Sequence, residues 1–177
     1  MAYECDKNYC SRQYYMNLSN TLIVPTEIGN AELTELLGYF QYRAPGISSE
    51  HSFSIPESDH KKIFSEMFDG RKFEAMDFYN SNKTILRHLD KNHLSKNSIC
   101  CTCKRFVCRL NDGTETKLNC FLRHIRNSLA HGRVHLVKKS RYIICFEDIN
   151  KRGNITARII CNKEDLKVWR KILNRYK

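Results

Sequence analysis

Arg126-Asn127-Ser128-Leu129-Ala130-His131 combines residue types and spacing that could do phosphate chemistry. Arginine is a permanent cation whose planar guanidinium grips phosphate at two points, and an imidazole exchanges a proton near neutral pH. With the Asn127 amide beside them, these groups are the minimum set for phosphodiester cleavage without a metal. RNA supplies its own nucleophile in the 2′-OH, so such a site needs only proton transfer and stabilisation of the charge that develops on the phosphorane. By spacing alone the plainer reading prevails, in which an Arg and a His near a helix end form a solvated face with a favourable C-terminal charge.

The element that must present these groups is a helix. Asp112-Gly113-Thr114-Glu115 reads as an acidic N-cap with Glu three residues on, a variant of the capping box, and Leu118, Leu122, Ile125 and Leu129 mark one apolar stripe. The helix is expected to end at His131-Gly132, where glycine can take the left-handed cap conformation. At about 100° per residue, Asn127 projects between Arg126 and His131, and all three lie off the apolar stripe. One side of the helix is thus buried and the other offers a guanidinium, an amide and an imidazole.

The rest of the chain supplies further helices. Residues 1–29 read as an N-terminal extension, with an extended piece from Leu18 to Val24 before Pro25. From Asn30, an N-cap, Leu33, Leu36, Leu37 and Phe40 recur at helical spacing until Ala44-Pro45-Gly46. A second helix follows Pro56 with Ile63, Phe64, Met67 and Phe68, and a third is expected between about Lys83 and Leu94. In Ser98 to Leu110 neither a strand nor a helix period prevails. Arg141 to Asp148 and Asn154 to Cys161 are β-rich runs joined as a hairpin. Asn162 caps a closing helix with Leu166, Trp169, Leu173 and Tyr176 on its apolar face and Arg170, Lys171 and Arg175 toward its C-terminal end.

A length of 177 residues suits one hydrophobic core. Thirty Lys and Arg against nineteen Asp and Glu leave a formal charge of +11, which favours an anionic partner such as nucleic acid. No segment approaches the roughly 20 apolar residues that span a bilayer, and the N-terminus lacks an apolar signal-peptide segment. The expectation is a cytoplasmic protein without membrane association, whose nine cysteines are reduced thiols.

The string Phe121-Leu122-Arg123-His124-Ile125-Arg126-Asn127-Ser128-Leu129-Ala130-His131-Gly132-Arg133-Val134 resembles the signature of HEPN domains. The likeness includes the polar residue directly after the Arg and the small residue before the His. With the later run Phe146-Glu147-Asp148, it is most similar to small stand-alone HEPN-family nucleases. The resemblance implies an antiparallel helical bundle, and metal-independent endoribonuclease activity in toxin–antitoxin or anti-phage defence systems. It also implies a homodimer in which two motifs share one composite active site. Carried over by position, Arg126 and His131 are the catalytic pair and Asn127 the polar group beside the Arg. The fold expected is mainly α: a HEPN-like bundle over about 30–132, with a β-hairpin and closing helix over about 133–177, all in a single domain. RNA is the expected partner, with a possible antitoxin or other regulator, and no cofactor or metal is called for.

Several features compete with this reading. Arg123, Arg133, Lys138 and Lys139 surround the motif and would bind an RNA backbone, although a solvated basic face is the plain alternative. Cys100, Cys101, Cys103 and Cys108 include one two-residue gap of the zinc-knuckle kind, but no second pair follows, and buried thiols are the simpler reading. Cys120 and His124 stand four apart on the key helix without an evident orienting third group, while His124 and His135 read as surface or packing residues. Two alternatives therefore stand beside the nuclease: a non-catalytic HEPN module that binds RNA or protein, and a zinc-containing nucleic-acid binder.

Overall fold

The β-rich pair read from the sequence lies at the heart of the molecule. In the computed structural model, which describes residues 15–23, 28–46 and 52–177, the strands are β1 Tyr15–Asn17, β2 Phe73–Tyr79, β3 Ser98–Cys100, β4 Lys104–Arg109, β5 Val134–Lys138, β6 Tyr142–Ile149 and β7 Ile155–Asn162. The helices are α1 Ala31–Tyr42, α2 Glu57–Phe68, α3 Asn82–Lys91, α4 Lys117–Ala130 and α5 Lys163–Leu173. Strands β6 and β7 form the expected antiparallel hairpin, and around it the main sheet runs in the order β2-β4-β7-β6-β5. Among the described strands of this sheet only the β2–β4 pairing is parallel. Strands β1 and β3 form a separate antiparallel pair.

The expected helical bundle with an appended hairpin is thereby corrected. Among the described residues, five helices accompany a five-stranded mixed sheet and a two-stranded one, with 39% helix and 27% strand. Three strands were hidden by their surroundings. Strand β2 is an edge strand with no fully buried residue, its exposed Glu74 and Met76 lying between half-buried neighbours, so no buried apolar face marks it. Strand β4 is buried on both faces, so its Phe106, Val107 and Cys108 form a short continuous run without a period. Strand β5 starts three residues after the His131 cap and is absorbed into the motif when read in one dimension.

Side-chain alternation divides the core between the two sheet faces. Phe106, Cys108, Ile144, Phe146, Ile159 and Cys161 meet α1, α2, α4 and α5, where Trp169, Phe121 and Phe40 are fully buried. Val107, Ile143, Cys145 and Ile160 face the other way, against Ile85 and Leu89 of α3 and against Met16, Ile99 and Cys101. The caps expected at Asn30 and Asn162 are present: Asn30 accepts from the Leu33 N–H at 2.9 Å, and Asn162 and Asp165 form a reciprocal capping box. The piece at Leu18–Val24 has Leu22 bridged to His135 beside β5, and Val24 lies outside the described residues.

Helix α4 begins later than expected. Thr116, not Asp112, is its N-cap and accepts from the Asn119 N–H, while Asp112 closes a turn by accepting from the Thr114 and Glu115 N–H groups. An Asp can serve either purpose, since its carboxylate bonds local backbone in a turn as readily as at a cap. The helix ends as read, with His131 as C-cap and Gly132 at φ +64°. That left-handed residue turns the chain toward β5, so Arg133, just before the strand, stands close to the histidine in sequence.

Candidate functional site

The stripe Leu118, Leu122, Ile125 and Leu129 is buried as the helical period requires, but the buried arc of α4 is wider than the stripe. Cys120, Phe121, His124 and Ser128 are buried as well, because β6 and β4 lie against that flank. What remains accessible is a strip with two margins. By helical rotation of about 100° per residue, Arg126 and His131 are separated by roughly 140°. They stand on opposite margins.

On the His131 margin the chain forms a cleft of about 620 Å³. Helix α4 contributes Arg123 and Asn127, and its C-cap is the exposed His131; the end of β4 contributes Arg109; and the residue just before β5 contributes Arg133. The floor is Asp148 and Ile149, where a register irregularity at the end of β6 re-aims the strand, and the β6–β7 turn adds Asn150, Lys151 and Gly153. Strands β4 and β6 both run antiparallel to β7, so their C-terminal ends meet at this edge of the sheet. Arg126 is not among the lining residues; it is half-buried, and its guanidinium donates to the Gly46 carbonyl at 3.0 Å.

Beneath the cleft lies a polar network. His124 is fully buried, with Nδ1 2.7 Å from Asp148 Oδ2 and Nε2 2.8 Å from the Arg109 carbonyl oxygen. A carbonyl can only accept, and so can an ionised carboxylate, so with Asp148 ionised both ring nitrogens carry protons and His124 is an imidazolium. Burial disfavours that charge, but the bond to Asp148 and the neighbouring Cys120 outweigh it and raise the His124 pKa. Burial likewise opposes the Asp148 charge, and the His124, Asn127 and Thr156 bonds overcome it and hold this carboxyl below its ordinary range. The same Oδ2 accepts from Asn127 Nδ2 at 3.1 Å.

Arg123, expected to bind RNA, is mostly engaged within the protein. It pairs with both oxygens of Glu115 at 2.6 and 2.8 Å and donates to the Arg109 carbonyl at 2.9 Å. Arg133 reaches the cleft directly. Lys138 and Lys139 do not line it, because β5 carries them away at about 3.3 Å per residue; Lys138 instead lies over the Tyr142 ring, 5.6 Å from its centroid. Arg109 and Lys151 were missed by sequence reading, since nothing local marks a basic residue at a strand end or in a turn as part of a distant site.

The third group that the Cys120/His124 pair lacked in sequence is Asp148, yet the arrangement cannot be a nucleophile and base. Cys120 is fully buried, and both nitrogens of His124 are already committed to Asp148 and Arg109. The Cys120 thiol is drawn down to about 6, chiefly by the bond with Cys108 and further by His124, against the opposing effect of burial. Cys108 and Cys120 sit in one core cluster and Cys101 in the other, while Cys100 bonds Thr102. Among the described residues no group of three or more His, Cys, Asp or Glu could hold a metal ion, and no described helix is long and apolar enough to cross a membrane.

Across residues 9–176 the chain matches the family model described as HEPN pEK499 p136. No curated protein and no solved structure matches it. The family match extends the likeness from the motif helix to the whole sheet and the helices around it.

Proposed function

This chain belongs to the HEPN pEK499 p136 family, which points to a nuclease or RNA-binding module, and from that premise we propose that it is an endoribonuclease that cleaves RNA without a metal ion. The observation that carries this reading is the meeting, in one cleft, of the exposed His131 and Asn127 with Arg109, Arg123, Arg133 and Lys151. A basic cleft attracts a phosphate backbone, and an exposed imidazole inside it can reach a ribose or leaving oxygen.

In the proposed reaction the 2′-oxygen attacks the adjacent phosphorus and gives its proton to an imidazole. The bond to the 5′-oxygen breaks, and that oxygen takes a proton as it leaves. The products are a 2′,3′-cyclic phosphate, or its hydrolysed form, and a 5′-hydroxyl end. The guanidinium groups bear the charge on the non-bridging oxygens. Two proton movements call for two acid/base groups, and one chain offers one histidine in this cleft.

A homodimer answers that need. A two-fold axis beside α4 brings a second His131, and a second Arg126, to the same RNA. Arg126 then serves from across the axis, or leaves the Gly46 carbonyl when substrate arrives. The setting we propose is cytoplasmic, in toxin–antitoxin or anti-phage defence, with a regulator that restrains the activity.

The engagement of Arg126 with Gly46 favours a second reading, a non-catalytic module that binds RNA or protein. Incubating purified protein with bulk RNA in chelator separates the two. The nuclease shortens the RNA; the binding module retards it in a gel and leaves its length unchanged.

A further inference from the structure

The carboxamide of Asn127 is not free to turn. Asp148 Oδ2 lies 3.1 Å from one end of it, and an ionised carboxylate accepts only, so that end must be the NH2. The amide oxygen is then directed away from Asp148, and Asn127 is itself a lining residue of the cleft. Asp148 in turn is fixed by His124 at 2.7 Å, and its backbone carbonyl accepts from Thr156 at 3.1 Å. His124 is fixed by the Arg109 carbonyl at 2.8 Å. Three elements, α4, β4 and β6, are thus tied together behind one amide.

Resting on the endoribonuclease reading, we propose that the buried His124–Asp148 ion pair positions the catalytic face of the site. It holds the Asn127 nitrogen inward and the Asn127 oxygen toward the cleft, as an acceptor for the ribose 2′-OH of the RNA. Asp148 and His124 are positioning residues; they act through Asn127. The bond to Asn127 orients the bound 2′-OH toward the phosphorus, and the single hydroxyl proton passes from the Asn127 oxygen to the imidazole as the 2′-oxygen attacks; a strand lacking that hydroxyl loses the bond, which sharpens discrimination against DNA. A buried charge pair suits this task better than a neutral bond, because an imidazolium forces the carboxylate to stay ionised and hence to remain an acceptor. Around the pair stand Cys120, Arg123 and Asn127 of α4, Arg109 and Cys108 of β4, Thr156 of β7, and Glu115 on the far side of Arg123.

The test is a second-site rescue. Asn127→Asp sets a carboxylate against Asp148 and should lower kcat by at least about 100-fold with KM changed by less than about threefold. Adding Asp148→Asn restores the contact with donor and acceptor exchanged, leaves an oxygen toward the cleft, and should recover at least about tenfold of kcat. The same Asp148→Asn added to Asn127→Leu should recover nothing, because no acceptor faces the cleft. Thermal melting of each variant confirms that folded protein is compared. Nitrogen-15 NMR of the histidines gives a readout that does not need activity: His124 should keep both ring protons above the pH at which a free imidazole is neutral, and lose one in Asp148→Asn. Equal kcat in Asn127→Asp with and without Asp148→Asn, or a neutral His124 in the wild type, overturns the proposal. Absence of RNA cleavage by the wild type overturns the endoribonuclease reading and with it the role at the 2′-OH, while the NMR result separately decides whether His124 is the imidazolium that fixes Asp148.

Discussion

The guanidinium of Arg126 donates to the carbonyl of Gly46 at 3.0 Å and does not line the cleft that holds His131. The bond is a half-exposed one, so Arg126→Ala should cost only about 0.5–1 kcal/mol of stability. On the composite-site account the same change should lower cleavage at least about tenfold, and Arg126→Lys should do nearly as badly because an ammonium cannot repeat the two-point grip. Urea titration and initial rates on the same preparations separate the two effects. Mixing wild type with an excess of His131→Ala should suppress cleavage, because each heterodimer holds one His131 where the two proton movements call for two. A mixture whose activity simply follows its wild-type content counts against a shared site.

Stability should peak in a window set by the His124–Asp148 pair. The His124 pKa is raised in the fold, so its contribution is complete below the ordinary histidine value of about 6.5 and is lost as pH rises through the higher folded value. The Asp148 pKa is lowered, so its contribution is complete above the ordinary carboxyl value of about 3.9 and is lost as pH falls through the lower folded value. Melting temperature should therefore fall toward both extremes. His124→Ala strands a buried carboxylate and should cost about 3 kcal/mol or more, with the alkaline decline of the wild type absent.

Salt dependence should sort the basic residues. Each phosphate contact to a single strand contributes about 0.7 to the slope of log K against log salt. Arg133→Ala and Lys151→Ala should each reduce the slope by about that amount, since both side chains line the cleft. Lys138→Ala and Lys139→Ala, at the far end of β5, should leave it unchanged. Fluorescence anisotropy with a 2′-deoxy oligonucleotide, which cannot be cleaved by the proposed route, measures the slopes; a larger effect at Lys138 than at Arg133 would move the RNA path to the other end of the strand.

Cys120 should be unreactive in the folded protein although its thiol is drawn down to about 6, mainly by Cys108. Reactivity needs access as well as thiolate, and Cys120 and Cys108 have none, whereas Cys103 is half-exposed. Among the described cysteines, iodoacetamide followed by peptide mapping should label Cys103 first and reach Cys120 only as urea unfolds the chain. Rapid native labelling of Cys120 would show that α4 lifts from β4.

The helices were legible because each buries one stripe and leaves the other side wet, and the hairpin because its strands carry dense β-formers. The other strands of the main sheet were not: β2 has no buried apolar face, β4 has two, and β5 begins two residues after the left-handed Gly132. At the site, Asn127 and His131, read from the sequence as catalytic, line one cleft beside the helix. It could not separate the two margins of α4, because that depends on β6 covering the flank of Cys120 and His124. Nor could it join His124 to Asp148, whose chain separation is bridged only once β6 lies against α4. Lys138 and Lys139 are near the motif in sequence and far from it along an extended strand.

The most direct test of the central claim is digestion of a defined RNA in EDTA by the wild type and by His131→Ala, with both product ends identified. The account predicts that the wild type leaves a 2′,3′-cyclic phosphate or its hydrolysed form opposite a 5′-hydroxyl, and spares the same strand carrying a 2′-deoxy sugar at the cut. It predicts that His131→Ala, still folded, loses cleavage by at least about 100-fold. Products with a 5′-phosphate, cleavage of the 2′-deoxy strand, or a fully active His131→Ala would contradict it.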